Sequence, residues 1–186
     1  GYGDLITLDM GGTSTDVCLV ADGKPNLSGE TEVDGLPIRT PVLDIVTVGA
    51  GGGSICWQDD GGMLRVGPES AGADPGPACY GRGGTRPAIT DAHMVRGTIR
   101  AEEFLGGNMD VDKDAAASVF KVLSNNIDMS LEDAADSAVR VADANIVGAI
   151  QLVSTERGRD PRDYVLVPFG GAGPLHAARE AEELDI

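Results

Sequence analysis

The 186 residues, 41% hydrophobic and 24% charged, suffice for one globular domain with a buried core, or for one large lobe of a bigger protein. Thirty acidic against fourteen basic residues give a formal charge of −16, a field that repels nucleic acid and anionic membranes and leaves any phosphate site to local backbone N–H groups and a bound cation. The three cysteines, Cys18, Cys56 and Cys79, are widely spaced without a C-x-x-C, which argues against a disulfide framework or a zinc-binding cysteine cluster and fits a cytoplasmic protein.

Leu5-Ile6-Thr7-Leu8 reads as a buried strand, Met10 to Thr13 as a turn, and Asp16 to Val20 as the return strand, with a second turn at Ala21 to Lys24. A further strand is expected through Val42 to Val48, entering a glycine cluster at Gly49. Ser54 to Val66 reads as a hairpin closed at Asp59-Asp60-Gly61-Gly62. Residues 67 to 90, rich in Gly and Pro, read as a long ordered loop. Asp112 to Leu123 has helical character. Ser130-Leu131-Glu132-Asp133 then starts a helix whose apolar stripe, Ala135, Val139, Ala142, Ile146, Ile150 and Val153, runs to about Glu156 and stops at Gly158. Tyr164 to Phe169 is expected as a last strand, and Pro174 as the first residue of a closing helix through about Leu184. No apolar stretch reaches membrane-spanning length. A strand almost at residue 1, with no initiator Met and no signal peptide, makes the chain read as a piece of a longer protein.

Three glycine turns carry the chemistry. The first, Asp9-Met10-Gly11-Gly12-Thr13-Ser14-Thr15-Asp16, joins strand to strand and lacks the Lys of a P-loop. A hairpin with two glycines at its tip can still aim successive N–H groups at one anion. Thr13, Ser14 and Thr15 add hydroxyls, and Asp9 at the strand end is placed to hold Mg²⁺, through water. The second, Val48-Gly49-Ala50-Gly51-Gly52-Gly53-Ser54, has no dinucleotide fingerprint and suits either a ligand's approach or close backbone packing. The third, Phe169-Gly170-Gly171-Ala172-Gly173-Pro174-Leu175-His176, is a strand–turn–helix whose helix N-terminus favours an anion or a ribose phosphate. Gly171 is expected where a Cβ would intrude on a bound nucleotide or the backbone is strained, and His176 either faces the site or packs. Asp91 and His93 form an Asp-x-His pair with metal-ligand chemistry, or else a helix-starting Asp beside an incidental His.

The first and third turns resemble the second phosphate motif and the adenosine motif of the sugar kinase–Hsp70–actin superfamily. The strings LDMGGTSTDV (8–17), VGAGGGSI (48–55), SAGADPGPACYGRGG (70–84), TDA (90–92), FLGG (104–107) and FGGAGPLHA (169–177) narrow the resemblance. They are similar to the hydantoinase A / 5-oxoprolinase family, which acetone and acetophenone carboxylase subunits share. The resemblance implies an α/β, ribonuclease H-like (actin-like ATPase) lobe, with a mixed sheet flanked by helices. It implies ATP and Mg²⁺ as cofactors, used to activate a cyclic amide or another carbonyl by phosphorylating its oxygen. Asp9 would be the catalytic and metal-binding residue. Gly11, Gly12, Thr13, Ser14 and Thr15 would meet the phosphates, and Gly170, Gly171, Ala172 and Gly173 the adenosine. Asp74 and Tyr80 would offer polar contacts near the cleft.

The chain departs from the family in having His93 where Asn commonly follows the Thr-Asp-Ala run, and Val95-Arg96-Gly97 where a Leu-Gly is usual. The superfamily's first phosphate motif would lie before residue 1, so the partners implied are a missing N-terminal lobe and a hydantoinase B-type subunit or domain. The chain thus reads as residues 1–186 of the C-terminal lobe of an ATP-dependent ring-opening hydrolase. The alternative is a non-catalytic structural or regulatory subunit. A sugar kinase lobe would leave the 70–84 string unexplained.

Overall fold

The fold is that of a computed structural model, which describes residues 1–29, 31–33 and 36–186. Its strands are β1 (Leu5–Met10), β2 (Thr15–Ala21), β3 (Lys24–Pro25), β4 (Leu27–Ser28), β5 (Thr31–Val33), β6 (Leu36–Ile38), β7 (Val42–Leu43), β8 (Ile45–Val48), β9 (Ser54–Gln58), β10 (Leu64–Ser70) and β11 (Val165–Phe169). Its α-helices are α1 (Ile89–Val95), α2 (Lys113–Asn126), α3 (Leu131–Val153) and α4 (Gly173–Leu184).

The main sheet is mixed. β11 runs parallel to β1, β1 antiparallel to β2, and both β3 and β8 pair antiparallel with β2. Two-residue alternation sets its faces. Ile6, Leu8 and Met10 of β1 and Val17 and Leu19 of β2 are fully buried, whereas Leu5, Thr7 and Asp9 line the other face, half-buried. A hairpin of β9 and β10 forms a separate unit, and β4–β7 and β5–β6 are small ribbons.

Helix α3 joins two cores. Its first half gives Ala135, Ala138, Val139 and Ala142 to a cluster with Phe120 of α2, Ile89 of α1 and the β9–β10 hairpin. Its second half gives Ile146, Val147, Ile150 and Val153 to the main sheet. The helix starts where expected, because the Ser130 hydroxyl oxygen accepts the Asp133 N–H at 3.1 Å. It stops at Val153, with a 3₁₀ turn at Thr155–Arg157 before Gly158 takes the left-handed conformation.

Other boundaries move for tertiary reasons. The expected strand 42–48 breaks at Asp44, because its two halves serve different sheets: β7 pairs β4 and β8 pairs β2. The expected 67–90 loop shortens at both ends. Ser70 still pairs Ser54 across the hairpin, and α1 begins at Ile89. A 3₁₀ turn, Ala78–Tyr80, lies between them. Helix α2 is capped by Asp112, whose carboxylate accepts the Ala115 N–H at 2.9 Å, and it runs three residues beyond Leu123. Cys18, Cys56 and Cys79 are free thiols, and no helix among the described residues is long and apolar enough to cross a membrane.

Ile146 is fully buried between α3 and the sheet. Ile146→Ala is expected to cost about 2–5 kcal/mol. Denaturant unfolding of the protein carrying this chain checks it, and a loss under about 1 kcal/mol would show that the site collapses around the missing methyls.

Candidate functional site

The β1–β2 hairpin closes tightly. Met10 pairs Thr15, and the Gly11 N–H donates to the Ser14 carbonyl at 3.0 Å. Gly12 and Thr13 form the exposed tip, and among the described residues their N–H groups donate to no protein acceptor. Thr15 turns inward: it is fully buried, and its hydroxyl donates to the Ala50 carbonyl at 2.5 Å. Its hydroxyl therefore locks the hairpin to the second glycine turn.

That second turn is packing. The N–H of Gly52 donates to the Gly11 carbonyl at 3.0 Å and that of Gly53 to the Gly12 carbonyl at 2.6 Å. A Cβ on Gly51 would sit 2.7 Å from the Thr13 carbonyl carbon, and one on Gly53 would sit 2.8 Å from the Gly12 oxygen. Backbone meets backbone there, and no side chain fits between.

The third turn lies against the end of β1. The Ala172 N–H donates to the Met10 carbonyl at 3.0 Å. Gly170 has φ +81°, and a Cβ on it would fall on the Met10 carbonyl and within 2.6 Å of Asp9 Oδ1. Gly171 is open: a Cβ there would meet nothing within 4 Å, and its φ is not positive. The backbone strain expected at Gly171 falls on Gly170 instead, because the turn reverses at the first glycine, against the strand end.

One cleft is lined by Gly11 and Gly12 of the hairpin, Gly52 and Gly53, Gly171, Ala172 and Leu175, with Tyr80, Phe104 and Leu105 opposite. Asp9, near the end of β1, is half-buried and beside Gly170, and lies outside this lining. The Tyr80 and Phe104 rings meet at a tilt of 46° with centroids 5.8 Å apart, and Arg82 lies over Tyr80 at 5.9 Å. Asp74 is exposed and lies outside the lining.

The Asp91–His93 pair holds no common ligand point. On a helix, residues two apart project to different sides. Asp91, buried, accepts the N–H groups of Cys79 at 2.8 Å, Ala88 at 3.0 Å and Ala78 at 3.1 Å, so it fastens the 3₁₀ turn to the start of α1. Burial pushes its pKa up and those N–H donors pull it back. His93 points instead to His176, Nε2 to Nε2 at 3.2 Å. His176, in the first turn of α4, is buried, and its Nδ1 lies 2.6 Å from Asp143 Oδ1. It faces the interior and not the cleft.

Sequence reasoning missed Asp143 and Glu180 in that interior. The signal was present: Asp143 interrupts the apolar stripe of α3 between Ala142 and Ile146, and Glu180 stands four residues after His176 on one face of α4.

A mixed α/β unit with three glycine turns around one cleft is what the geometry defines. The hydantoinase/oxoprolinase family model matches residues 1–186. The alpha subunit of caprolactamase from Pseudomonas jessenii is 42% identical over 185 residues, covering 99% of this chain and 27% of that protein. The crystal structure of that ATP-dependent caprolactamase superposes with a TM-score of 0.91. The 5-oxoprolinase of Saccharomyces cerevisiae is 39% identical over 194 residues, covering 98% of this chain and 15% of that protein. The nucleotide-free structure of acetone carboxylase, described as catalysing ATP-dependent acetone carboxylation, gives a TM-score of 0.90 at 30% identity, over 99% of this chain and 26% of that one. The chain belongs to the hydantoinase/oxoprolinase family. It spans about a quarter or less of the length of these relatives.

Gly170→Ala and Gly171→Ala separate the two glycines. The first is expected to lower stability by about 1–3 kcal/mol or more from backbone strain and the clash with Met10, the second to stay within about 0.5 kcal/mol. Thermal unfolding of both variants checks this, and equal losses would overturn the assignment of Gly170.

Proposed function

We propose that this chain is the ATP-binding C-terminal lobe of an ATP-dependent amide- or lactam-opening hydrolase, with an actin-like, ribonuclease H-type fold. The observation that carries this reading is the pair of exposed, unpartnered N–H groups at Gly12 and Thr13. They sit on a hairpin whose glycines share a cleft with the Gly170 to Gly173 turn. Successive N–H groups at a glycine tip form an anion-binding concavity. The chain's net charge of −16 makes such local donors necessary for a polyphosphate.

The residues fit the nucleotide. Gly12 and Thr13 would hold phosphate oxygens, with the Ser14 hydroxyl beside them. Gly171 and Ala172 leave bare backbone for a flat adenosine, and Leu175 gives it an apolar floor. Asp9 would hold Mg²⁺, since it stands at the strand end next to the same turn and a carboxylate is the usual protein ligand of that ion. ATP, when bound, would supply a phosphoryl group to the carbonyl oxygen, which makes the carbonyl carbon of a poorly reactive amide far more electrophilic. The chain's own part is to position and neutralise: the tip amides fix the phosphates, and Asp9 keeps the cation in register with them.

The named relatives support this reading, since the caprolactamase and the acetone carboxylase are described as ATP-dependent. They also support its incompleteness. A chain that covers 27% of the caprolactamase alpha subunit supplies one wall of a cleft. The opposite lobe of the same protein, a hydantoinase B-type partner, a cyclic amide or carbonyl substrate and a cytoplasmic setting complete the proposal.

Asp9→Asn in the full-length protein is expected to lower Mg²⁺-dependent ATP cleavage at least about 100-fold while the melting temperature stays within a few degrees. A coupled assay for ADP with a thermal scan checks it. Cleavage surviving within a few-fold would remove Asp9 from the metal site. An unsubstituted protein that binds no Mg²⁺–ATP by calorimetry would favour a structural or regulatory subunit.

A further inference from the structure

Helices α1, α3 and α4 meet beneath the cleft and bring four ionisable side chains together. His93 comes from α1, Asp143 from α3, and His176 and Glu180 from α4. All four are buried, none more than 2% exposed. Asp143 Oδ1 lies 2.6 Å from His176 Nδ1, and His176 Nε2 lies 3.2 Å from His93 Nε2, with the two imidazoles edge to face. One ligand atom from each of Asp143, His176 and Glu180 can be chosen so that all three lie within 4.8 Å of one another.

The hydrogen bonds do not account for this cluster. Among the described residues, both Glu180 oxygens and Asp143 Oδ2 have no hydrogen-bond partner, and neither does His93 Nδ1. Arg179 makes an ion pair with Asp143, Nη1 to Oδ2 at 3.6 Å, too long for a hydrogen bond, from a side chain that is 40% exposed. Burying a carboxylate with nothing on either oxygen is costly unless a proton or a cation joins it. A proton alone is a poor answer. Burial, with the Asp143 charge adding to it, pushes the Glu180 pKa up to about 8, yet a neutral Glu180 still leaves an O–H and a carbonyl oxygen without partners.

We propose that Asp143, His176 and Glu180 form a binding site for one divalent first-row transition ion of the zinc type. A dication balances the two carboxylates, and the imidazole selects such an ion over Mg²⁺ or Ca²⁺, which take oxygen ligands. His176 and Glu180, four residues apart, share one face of α4, and Asp143 reaches them from α3. Whichever ring nitrogen of His176 binds the ion, the other has a partner already in place, Asp143 Oδ1 at Nδ1 or His93 at Nε2. A metal-bound histidine is held by such a contact. Asp143, His176 and Glu180 are buried in the interior and lie outside the cleft lining, so the proposal does not rest on the reading of the cleft. Its role is to pin α4, which carries the third glycine turn, to α3.

The test uses full-length protein with no nucleotide present. The wild type is stripped with a chelator, titrated with Zn²⁺ and dialysed, and its metal content is measured beside Glu180→Gln and Asp143→Asn, each checked for folding by circular dichroism. The wild type is expected to retain one Zn²⁺ equivalent more than either variant. Its melting temperature should rise with Zn²⁺ while the variants' should not. Co²⁺ in place of Zn²⁺ should give the wild type a visible d–d absorption that Glu180→Gln lacks. A wild type that retains no Zn²⁺ overturns the site whether or not the variants fold. So does equal metal content in wild type and a folded Glu180→Gln, which would leave Glu180 a buried neutral acid.

Discussion

Two backbone hydrogen bonds, from Gly52 N–H to the Gly11 carbonyl and from Gly53 N–H to the Gly12 carbonyl, hold the first two glycine turns face to face. They form because Gly51 and Gly53 carry no Cβ, which would otherwise stand 2.7–2.8 Å from the hairpin's own backbone. This contact orients the tip. With the Gly11 and Gly12 carbonyls turned to the second cluster, the N–H groups of Gly12 and Thr13 are left facing outward. The same glycines pass the restraint onward. The Gly52 carbonyl accepts both the N–H and the hydroxyl of Thr90, at 2.7 and 2.8 Å, and the Gly53 carbonyl accepts the Ala71 N–H at 2.8 Å. The hairpin, the 71–88 loop and α1 thereby hang on one run of peptide groups.

Helix α1 distributes that restraint with three neighbouring residues. Thr90 ties it to the second glycine turn, Asp91 fastens the 3₁₀ turn that presents Tyr80, and His93 reaches His176 at the start of α4. The wall carrying Tyr80 and the wall carrying Ala172 are therefore joined through a seven-residue helix. A short helix can do this because its side chains leave on every side, so that consecutive residues reach different neighbours. The Leu-Gly to Arg-Gly departure at Arg96 has a partner too: its guanidinium pairs with Asp136 of α3 at 3.0 Å.

Much of the frame was legible along the chain. The β1–β2 hairpin, α3 with its Ser130 cap, and the β11–turn–α4 unit follow from local rules: two- and 3.6-residue periodicity, a hydroxyl cap, and proline in a helix's first turn. Of the two readings of Asp91 and His93, the helix-starting Asp is the one that holds, since Asp91 accepts the Ala88 N–H at the start of α1 while His93 leaves on another side toward His176. The second glycine cluster stayed undecided because a bare backbone serves ligand and neighbour alike, and only the position of the Gly12 carbonyl settles which is there. Asp143 escaped notice because it lies 33 residues from His176, on a second helix, and Glu180, though four residues from His176, because nothing local shows that this face of α4 is buried.

The sequence by itself determined the β1–β2 hairpin, α3, the β11–turn–α4 unit, the three glycine turns and the family, since each is written in short contiguous strings whose physics is local. Tertiary structure alone decided which glycine refuses a side chain, which hydroxyl is locked inside and which histidine faces which. Gly170 and Gly171 are identical as residues, and only the strand end beside them makes one indispensable and the other open. Thr13 and Thr15 offer the same hydroxyl, but Thr13 lies at the hairpin tip, whereas Thr15 opens β2 on the face of Val17 and Leu19 and is buried against the Ala50 carbonyl. Such choices belong to contacts between segments far apart in the chain, and the energy of a buried polar group depends on what those distant segments bring within hydrogen-bond reach.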